Sequence, residues 1–234
     1  MKQHEPTDSL PQEYRELLIR LLTIQADSEI GVTLIQHIPW VSKAPTANDM
    51  WIEAKIVMEE IGHYRYMKDM LSELGADVSY MERTQSPEER LVEAFKTPFT
   101  SWGDVAVFHC LNDRVGRYQL EEFLDCSYGP LARVAPKMIQ EENFHVTTGT
   151  AHVAELCKTP EGRREAQEKV NIWYPLALDM FGHAESRRSL QYIECGLKRR
   201  KNEEQRQQYI TEANPILEKL GLQVPDVTYR RRHM

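Results

Sequence analysis

Two short strings in this chain carry residue types that hold metal ions. Glu59-Glu60-Ile61-Gly62-His63 is matched, eighty-two residues on, by Glu141-Glu142-Asn143-Phe144-His145. Each is an E-x-x-H, and each sits inside a long helical pattern. On a helix, residues three apart share a face about one turn apart. A carboxylate and an imidazole so placed can grip one metal ion from the same side, and two such helices facing each other could hold two. One copy alone says little, because Glu and His are common on helix surfaces. The chemistry depends on whether both copies point inward and on which further acids meet them.

Hydrophobic periodicity places the strings on four long helices. A first helical pattern spans residues 11–38. Its stripe is Leu18, Leu21, Leu22, Gln25, Glu29, Val32, Thr33 and Gln36, and Pro39 and Pro45 are expected to end it. A second, capped by Asn48 or Asp49, runs to Gly75 with Ile56, Val57, Glu60, His63, Tyr64, Met67, Leu71 and Leu74 on one face. Glu60 and His63 lie in the middle of this apolar face. Glu59 aligns with Lys55, Gly62 and Tyr66, so Glu60 is the inward member of the doublet. Residues 76–100 read as irregular, with one short helix near 87–95. Ser101-Trp102-Gly103-Asp104 starts a third helix that runs to about Cys126. Ser127-Tyr128-Gly129-Pro130 turns the chain into a fourth, with Pro130 in its first turn and Pro136 expected to kink it. The fourth stripe is Leu131, Ala135, Met138, Glu142, His145, Val146, Gly149, Val153 and Leu156, so its E-x-x-H is also on the apolar side.

Helices one and two form one antiparallel hairpin, and helices three and four another. Residues equally far from a hairpin turn sit at one height. Glu29 and Glu60 are both about fifteen residues from the first turn, at 1.5 Å of rise per residue. The partner of Glu142 across the second turn falls near residue 115, and Asp113 is the acid that fits. Glu121 and Glu122 are too near the turn, by roughly 10 Å. The candidate set is Glu29, Glu60, His63, Asp113, Glu142 and His145. Four carboxylates and two imidazoles of this kind form the pattern of di-iron or di-manganese sites in ferritin-like four-helix bundles. The acids offset the charge of two metal ions, and mixed oxygen and imidazole ligation suits iron or manganese better than zinc. A bland reading is weighed against each residue. Asp113 could instead pair with Arg114 or Arg117. His109 and His152 read as packing or pocket residues, and His37 and His183 as ordinary. Gly62, Cys110, Gly116 and Phe144 are candidate pocket walls. The run Lys198–Lys201 reads as a solvated face, with an anion site such as a CoA phosphate contact as the sharper alternative.

The bulk numbers restrict the class. The 234 residues suffice for one large domain, with a core bundle at about 11–156, extra helices at about 160–220 and a mobile tail at 227–234. The extra helices are expected around Trp173, at 186–196 and at 203–220. Residues 1–10 read as loose. A net charge of −7 argues against nucleic acid as partner. No apolar run approaches the ~20 residues of a membrane span, and the N-terminus lacks a signal-peptide core. Cys110, Cys126, Cys157 and Cys195 show no C-x-x-C spacing and read as free thiols in a reducing cytoplasm. The expectation is an all-α, cytoplasmic, ferritin-like four-helix bundle with additional C-terminal helices.

The chain also resembles a known family, the catalytic A subunits of bacterial multicomponent phenylacetyl-CoA epoxidases. The resemblance is carried by Asp27-Ser28-Glu29-Ile30, Lys43-Ala44-Pro45-Thr46, both E-x-x-H strings, Ser101-Trp102-Gly103-Asp104 and Ser127-Tyr128-Gly129-Pro130. It continues through Ala132-Arg133, Trp173-Tyr174-Pro175, Met180-Phe181-Gly182, Leu220-Gly221 and Val224-Pro225-Asp226. It implies two iron ions, or manganese, bound by Glu29, Glu60, His63, Asp113, Glu142 and His145. It implies a monooxygenase that adds one atom of dioxygen to the aromatic ring of a CoA thioester as an epoxide. A reductase and a related ferritin-like structural subunit would be partners in an oligomer. The family's catalytic chains usually run on past the segment matching Asp226, and this chain keeps all six positions that the related structural subunit has mostly lost. The alternatives are a di-metal oxidase or oxygenase on a non-CoA substrate, or a non-catalytic ferritin-like scaffold.

Overall fold

A computed structural model describes residues 3–83 and 86–226. The expected tail at 227–234 lies outside the described residues. The fold is all-α. Helix α1 (Gln12–Val32) passes through one π-helical turn (Thr33–His37) into the short α2 (Ile38–Val41). The long helices α3 (Ala47–Glu73), α4 (Trp102–Glu121) and α5 (Gly129–Leu156) follow, then α6 (Pro160–Asp179), α7 (Arg187–Glu194) and α8 (Asn202–Lys219). Helix α1 packs on α3, α4 on α5, and α3 on α5, which joins the two hairpins into a bundle; α6 covers α4. No helix among the described residues is long and apolar enough to cross a membrane.

Several boundaries differ from expectation for local reasons. Pro39 does not end the first helix. Its ring removes a backbone donor, and the helix widens just before it, with Ile38 N–H reaching back to Thr33 O. The cap of α3 is Thr46, whose hydroxyl accepts from Asp49 N–H, not Asn48 or Asp49. Pro136 sits inside an α5 that stays α-helical throughout. The segment before α4 holds three short 3-10 turns, Ser79–Glu82, Pro87–Glu89 and Glu93–Lys96, in place of the one short helix expected. The N-terminal residues are not loose where they are described. His4 exchanges backbone hydrogen bonds with Ser127 and Gly129, and Glu5 pairs with Arg133 at 2.7 Å.

The basic run after α7 is only partly a solvated face: Arg199 and Lys201 are exposed, and Lys198 and Arg200 are half-buried. Arg199 and Arg200 donate their backbone N–H groups to Glu122, at 2.7 and 2.8 Å, and Glu122 is fully buried. This acid, too near the turn to join the candidate site, anchors the C-terminal helices to the end of α4.

Close approach of α4 and α5 depends on Gly149. A Cβ there would sit 2.4 Å from Cys110 N and 2.5 Å from His109 Cβ, so any larger residue would push the two helices apart. Along α5 the apolar stripe of Leu131, Ala135 and Met138 is interrupted by Glu142 and His145 before it resumes at Val146. The interruption lies at the level of the acids on the other three long helices.

Candidate metal centre

Each candidate residue reaches the bundle interior from a turn of a long helix. Glu29 comes from α1, Glu60 and His63 from α3, Asp113 from α4, and Glu142 and His145 from α5. All six are buried, and Asp113, the most accessible, is only 7% exposed. Ligand-type atoms of Glu29, Glu60, His63 and Glu142 lie within 4.8 Å of one another, as do those of Asp113, Glu142 and His145.

The two histidines define two ends. His63 Nδ1 lies 3.4 Å from Glu29, 3.9 Å from Glu60 and 3.8 Å from Glu142. His145 Nδ1 lies 3.2 Å from Glu60, 3.7 Å from Glu142 and 4.0 Å from Asp113. Glu60 and Glu142 therefore stand between the imidazoles, while Glu29 and Asp113 each serve one end. Gly116 faces the same space: a Cβ there would lie 3.5 Å from Glu142 Oε2.

Electrostatics follow from burial and proximity. Burial, then the neighbouring Glu29 and Glu142, push the Glu60 carboxyl well above its usual range. Burial also raises Glu142. For Glu29 burial opposes ionisation, but hydrogen bonding with His63 outweighs it and holds the group low. Burial alone would lower His63 and His145. The surrounding carboxylates outweigh it and hold both imidazoles well above their ordinary value.

Two buried atoms at the centre have no hydrogen-bond partner among the described residues: Glu142 Oε2 and His145 Nδ1. An orphaned buried polar atom costs roughly 1–3 kcal/mol. Two of them, aimed into a cluster of acids, are what a metal site presents when its ligand atoms are reserved for an ion. The donor set of four carboxylates and two imidazoles fits two hard or borderline cations.

The outward face of the site goes beyond what the stripes predict. Glu59 and Glu141, assigned by the stripes to solvent-facing positions, each reach across to the opposite hairpin. His63 Nε2 lies 3.0 Å from Glu141, and His145 Nε2 lies 3.1 Å from Glu59. Each of these acids also pairs with a lysine four residues back, Lys55 with Glu59 at 2.5 Å and Lys137 with Glu141 at 3.0 Å. Such partners hold Nε2 as the donor, so that Nδ1 is the nitrogen turned inward and can offer a lone pair once a metal ion displaces its proton. The signal is present in the sequence. The repeated unit is K-x-x-x-E-E-x-x-H, with Lys55 and Lys137 at the same eighty-two-residue spacing as the rest.

A second group outside the expected set lies beside Asp113. His109 Nδ1 is 2.5 Å from Asp113 Oδ2, and His109 Nε2 is 3.0 Å from Glu53. Glu53 in turn meets His37 Nδ1 at 2.9 Å. His109 and His37 are thus a connected polar chain, not ordinary packing residues. Burial would lower His109, but Asp113 and Glu53 raise it to about 10. Arg114 and Arg117 do not pair with Asp113; both turn to Glu212 on α8.

Of the expected pocket walls only Gly116 touches the centre. A Cβ on Gly62 would meet nothing within 4 Å, Cys110 Sγ turns to Thr150, and Phe144 carries Lys55 over its ring at 3.7 Å. A cavity of about 710 Å³ lies instead between the N-terminal half of α1 and the ends of α4, α6 and α7. Ile19, Ile24, Leu91, Phe123, Leu176 and Met180 supply apolar walls. The cavity reaches Gln25, whose amide donates to Glu29.

Comparison with known proteins places this geometry. Residues 1–233 match the family described as phenylacetic acid catabolic protein. The chain belongs to that family. It is 32% identical over 227 residues to the A subunit of 1,2-phenylacetyl-CoA epoxidase from Escherichia coli (strain K12), across 95% of this chain and 73% of the relative. It is 27% identical over 224 residues to benzoyl-CoA oxygenase component B from Aromatoleum evansii, across 83% of this chain and 47% of the relative. Each name describes one part of an epoxidase or oxygenase of an aryl-CoA.

Proposed function

We propose that this chain is the oxygenase component of a multicomponent aryl-CoA epoxidase, a cytoplasmic monooxygenase with two iron ions held by Glu29, Glu60, His63, Asp113, Glu142 and His145. The observation that carries the reading is the pairing of Glu60 and Glu142 between two imidazoles, with Glu142 Oε2 and His145 Nδ1 buried and making no hydrogen bond among the described residues. The iron ions would supply the activation of dioxygen, with electrons from a reductase partner. The protein supplies the rest. Glu59 and Glu141 hold the imidazoles in the tautomer that turns Nδ1 inward. Four carboxylates offset the charge of two divalent ions in a dry layer that would otherwise disfavour them. The apolar cavity that ends at Gln25 is wide enough for an aryl-acyl group and keeps water from the ring. Gln25 links the occupant of that cavity to Glu29, the acid at the near end of the site.

The relatives' names support the CoA thioester as substrate class and further subunits in the assembly; the partner we have in view is a related ferritin-like structural protein. Iron-loaded protein, combined with that partner and a reductase, is expected to transfer one labelled atom from isotopic dioxygen to phenylacetyl-CoA. Protein that holds two irons, receives electrons and still leaves every aryl-CoA unlabelled would overturn the substrate assignment. Protein that binds no more than one ion would overturn the site.

A further inference from the structure

The centre is built asymmetrically. At one end Glu29 is held by Gln25, a neutral side chain on the cavity wall. At the other end Asp113 is held by a chain that runs away from the cavity into the core. Asp113 Oδ2 accepts from His109 Nδ1, His109 Nε2 donates to Glu53 Oε2, and Glu53 Oε1 accepts from His37 Nδ1. Glu53 is 1% exposed, as is His109, and His37 is fully buried.

We propose that Glu53 is a positioning residue for the metal centre: it clamps His109 between two acids and so fixes Asp113 against the His145 end. The proposal rests on the metal-site reading above. Three observations carry it. First, both ring nitrogens of His109 face carboxylate oxygens, Asp113 at 2.5 Å and Glu53 at 3.0 Å, so the ring bridges the two acids. Held from both sides, the His109 ring is placed to orient Asp113. Second, among the described residues Asp113 makes its one side-chain hydrogen bond to His109. A short side chain with a single tether takes its direction from that tether. Third, the outer anchor is delivered by the π-helical turn. The turn brings His37 into register with Glu53, and His37 then stacks on His109, centroids 4.8 Å apart and planes within 10°. Phe99 and Phe108 hold the His37 ring edge-on. π-helical turns concentrate at functional sites, and here the extra residue per turn has a definite use.

Glu53 lies seven residues before Glu60, two turns along the same face of α3. One helix thus supplies both a carboxylate between the imidazoles and the clamp for the acid on α4.

The test is a titration of the full metal-free chain with Co(II) under anaerobic conditions, read by ions bound per chain and by the visible ligand-field bands. Wild type is expected to bind two ions. Glu53→Gln replaces one acceptor oxygen with an amide nitrogen that cannot accept from an imidazole N–H. It is expected to bind one ion with wild-type affinity and the second at least about 10-fold more weakly, with altered bands for that ion alone. A merely structural role would weaken both ions together. Equal weakening of both, or wild-type binding of both, overturns the proposal. If Glu53→Gln does not fold, His37→Leu removes the outer anchor and is judged by the same two readouts. His37→Gln keeps a donor toward Glu53 and is expected to restore the second ion. Failure of wild type itself to take up two ions would instead overturn the metal-site reading on which the proposal stands.

Discussion

Two buried acids on α4, nine residues apart, show how differently one helix can use a carboxylate. Asp104 is saturated. It accepts from Thr100 N–H and hydroxyl, from Ser101 N–H, from Lys169 at 2.8 Å and from the Trp173 indole at 2.9 Å. Burial opposes its ionisation, but the Lys169 bond and the others outweigh it, and its pKa is lowered. Among the described residues Asp113 has one side-chain hydrogen bond, to His109, and the neighbouring Glu142 Oε2 has none. Both residues are buried. Asp104 fastens α6 to the start of α4. Asp113 belongs to a layer whose own contacts leave it incomplete. Burial of charge does not mark a site; convergence of buried acids and imidazoles with atoms left over does.

The comparison can be broken most sharply at Glu60. Its carboxyl is pushed well up in the metal-free protein, so replacing it with a neutral amide removes little from the unloaded fold. Glu60→Gln is expected to abolish two-ion loading while shifting metal-free stability by no more than about 1 kcal/mol. Metal analysis and thermal unfolding of the same preparation check both halves. Asp104→Asn should do the reverse. It leaves the Lys169 ammonium short of its partner and should cost roughly 3 kcal/mol. Metal bound per folded chain should stay at the wild-type level.

A smaller effect is expected from the outward acids. Glu141→Gln weakens the grip on His63 Nε2, and Glu59→Gln that on His145 Nε2. Each should lower metal affinity about 10- to 100-fold without emptying the site. Competition with a chelator of known affinity measures the loss.

Acidity sharpens the same contrast. His63, His145, Glu60 and Glu142 all have raised pKa values in the metal-free protein, so they hold protons that a metal ion must displace. Metal binding should release protons, and apparent affinity should rise with pH through neutrality and above it. Asp104 runs the other way. Its pKa is lowered, so its contribution to stability is present above the unfolded value and is lost as pH falls through the folded one. Proton release in weak buffer, beside unfolding midpoints across the acid range, separates the two acids.

Much of this is legible in the chain because helices convert spacing into direction. Glu60, His63, Glu142 and His145 lie on apolar stripes of period 3.6, and a polar residue in such a stripe has nowhere to point but inward. Glu29 and Asp113 are reached by counting residues from the hairpin turns, since rise per residue is constant. Glu59, Glu141 and His37 cannot be placed this way. The first two look outward on their own helices and become part of the centre only because the opposite hairpin presents a ring nitrogen to each. His37 depends on a π-helical turn that a regular period does not anticipate, whereas Glu53 shares the inward face of Glu60 and is legible from the same period. The sequence by itself determined which acids and imidazoles enter the interior and at what height. Only the packing of one hairpin on the other decided which atoms are satisfied and which are left to face an ion, because that is settled by distances between helices and not along them.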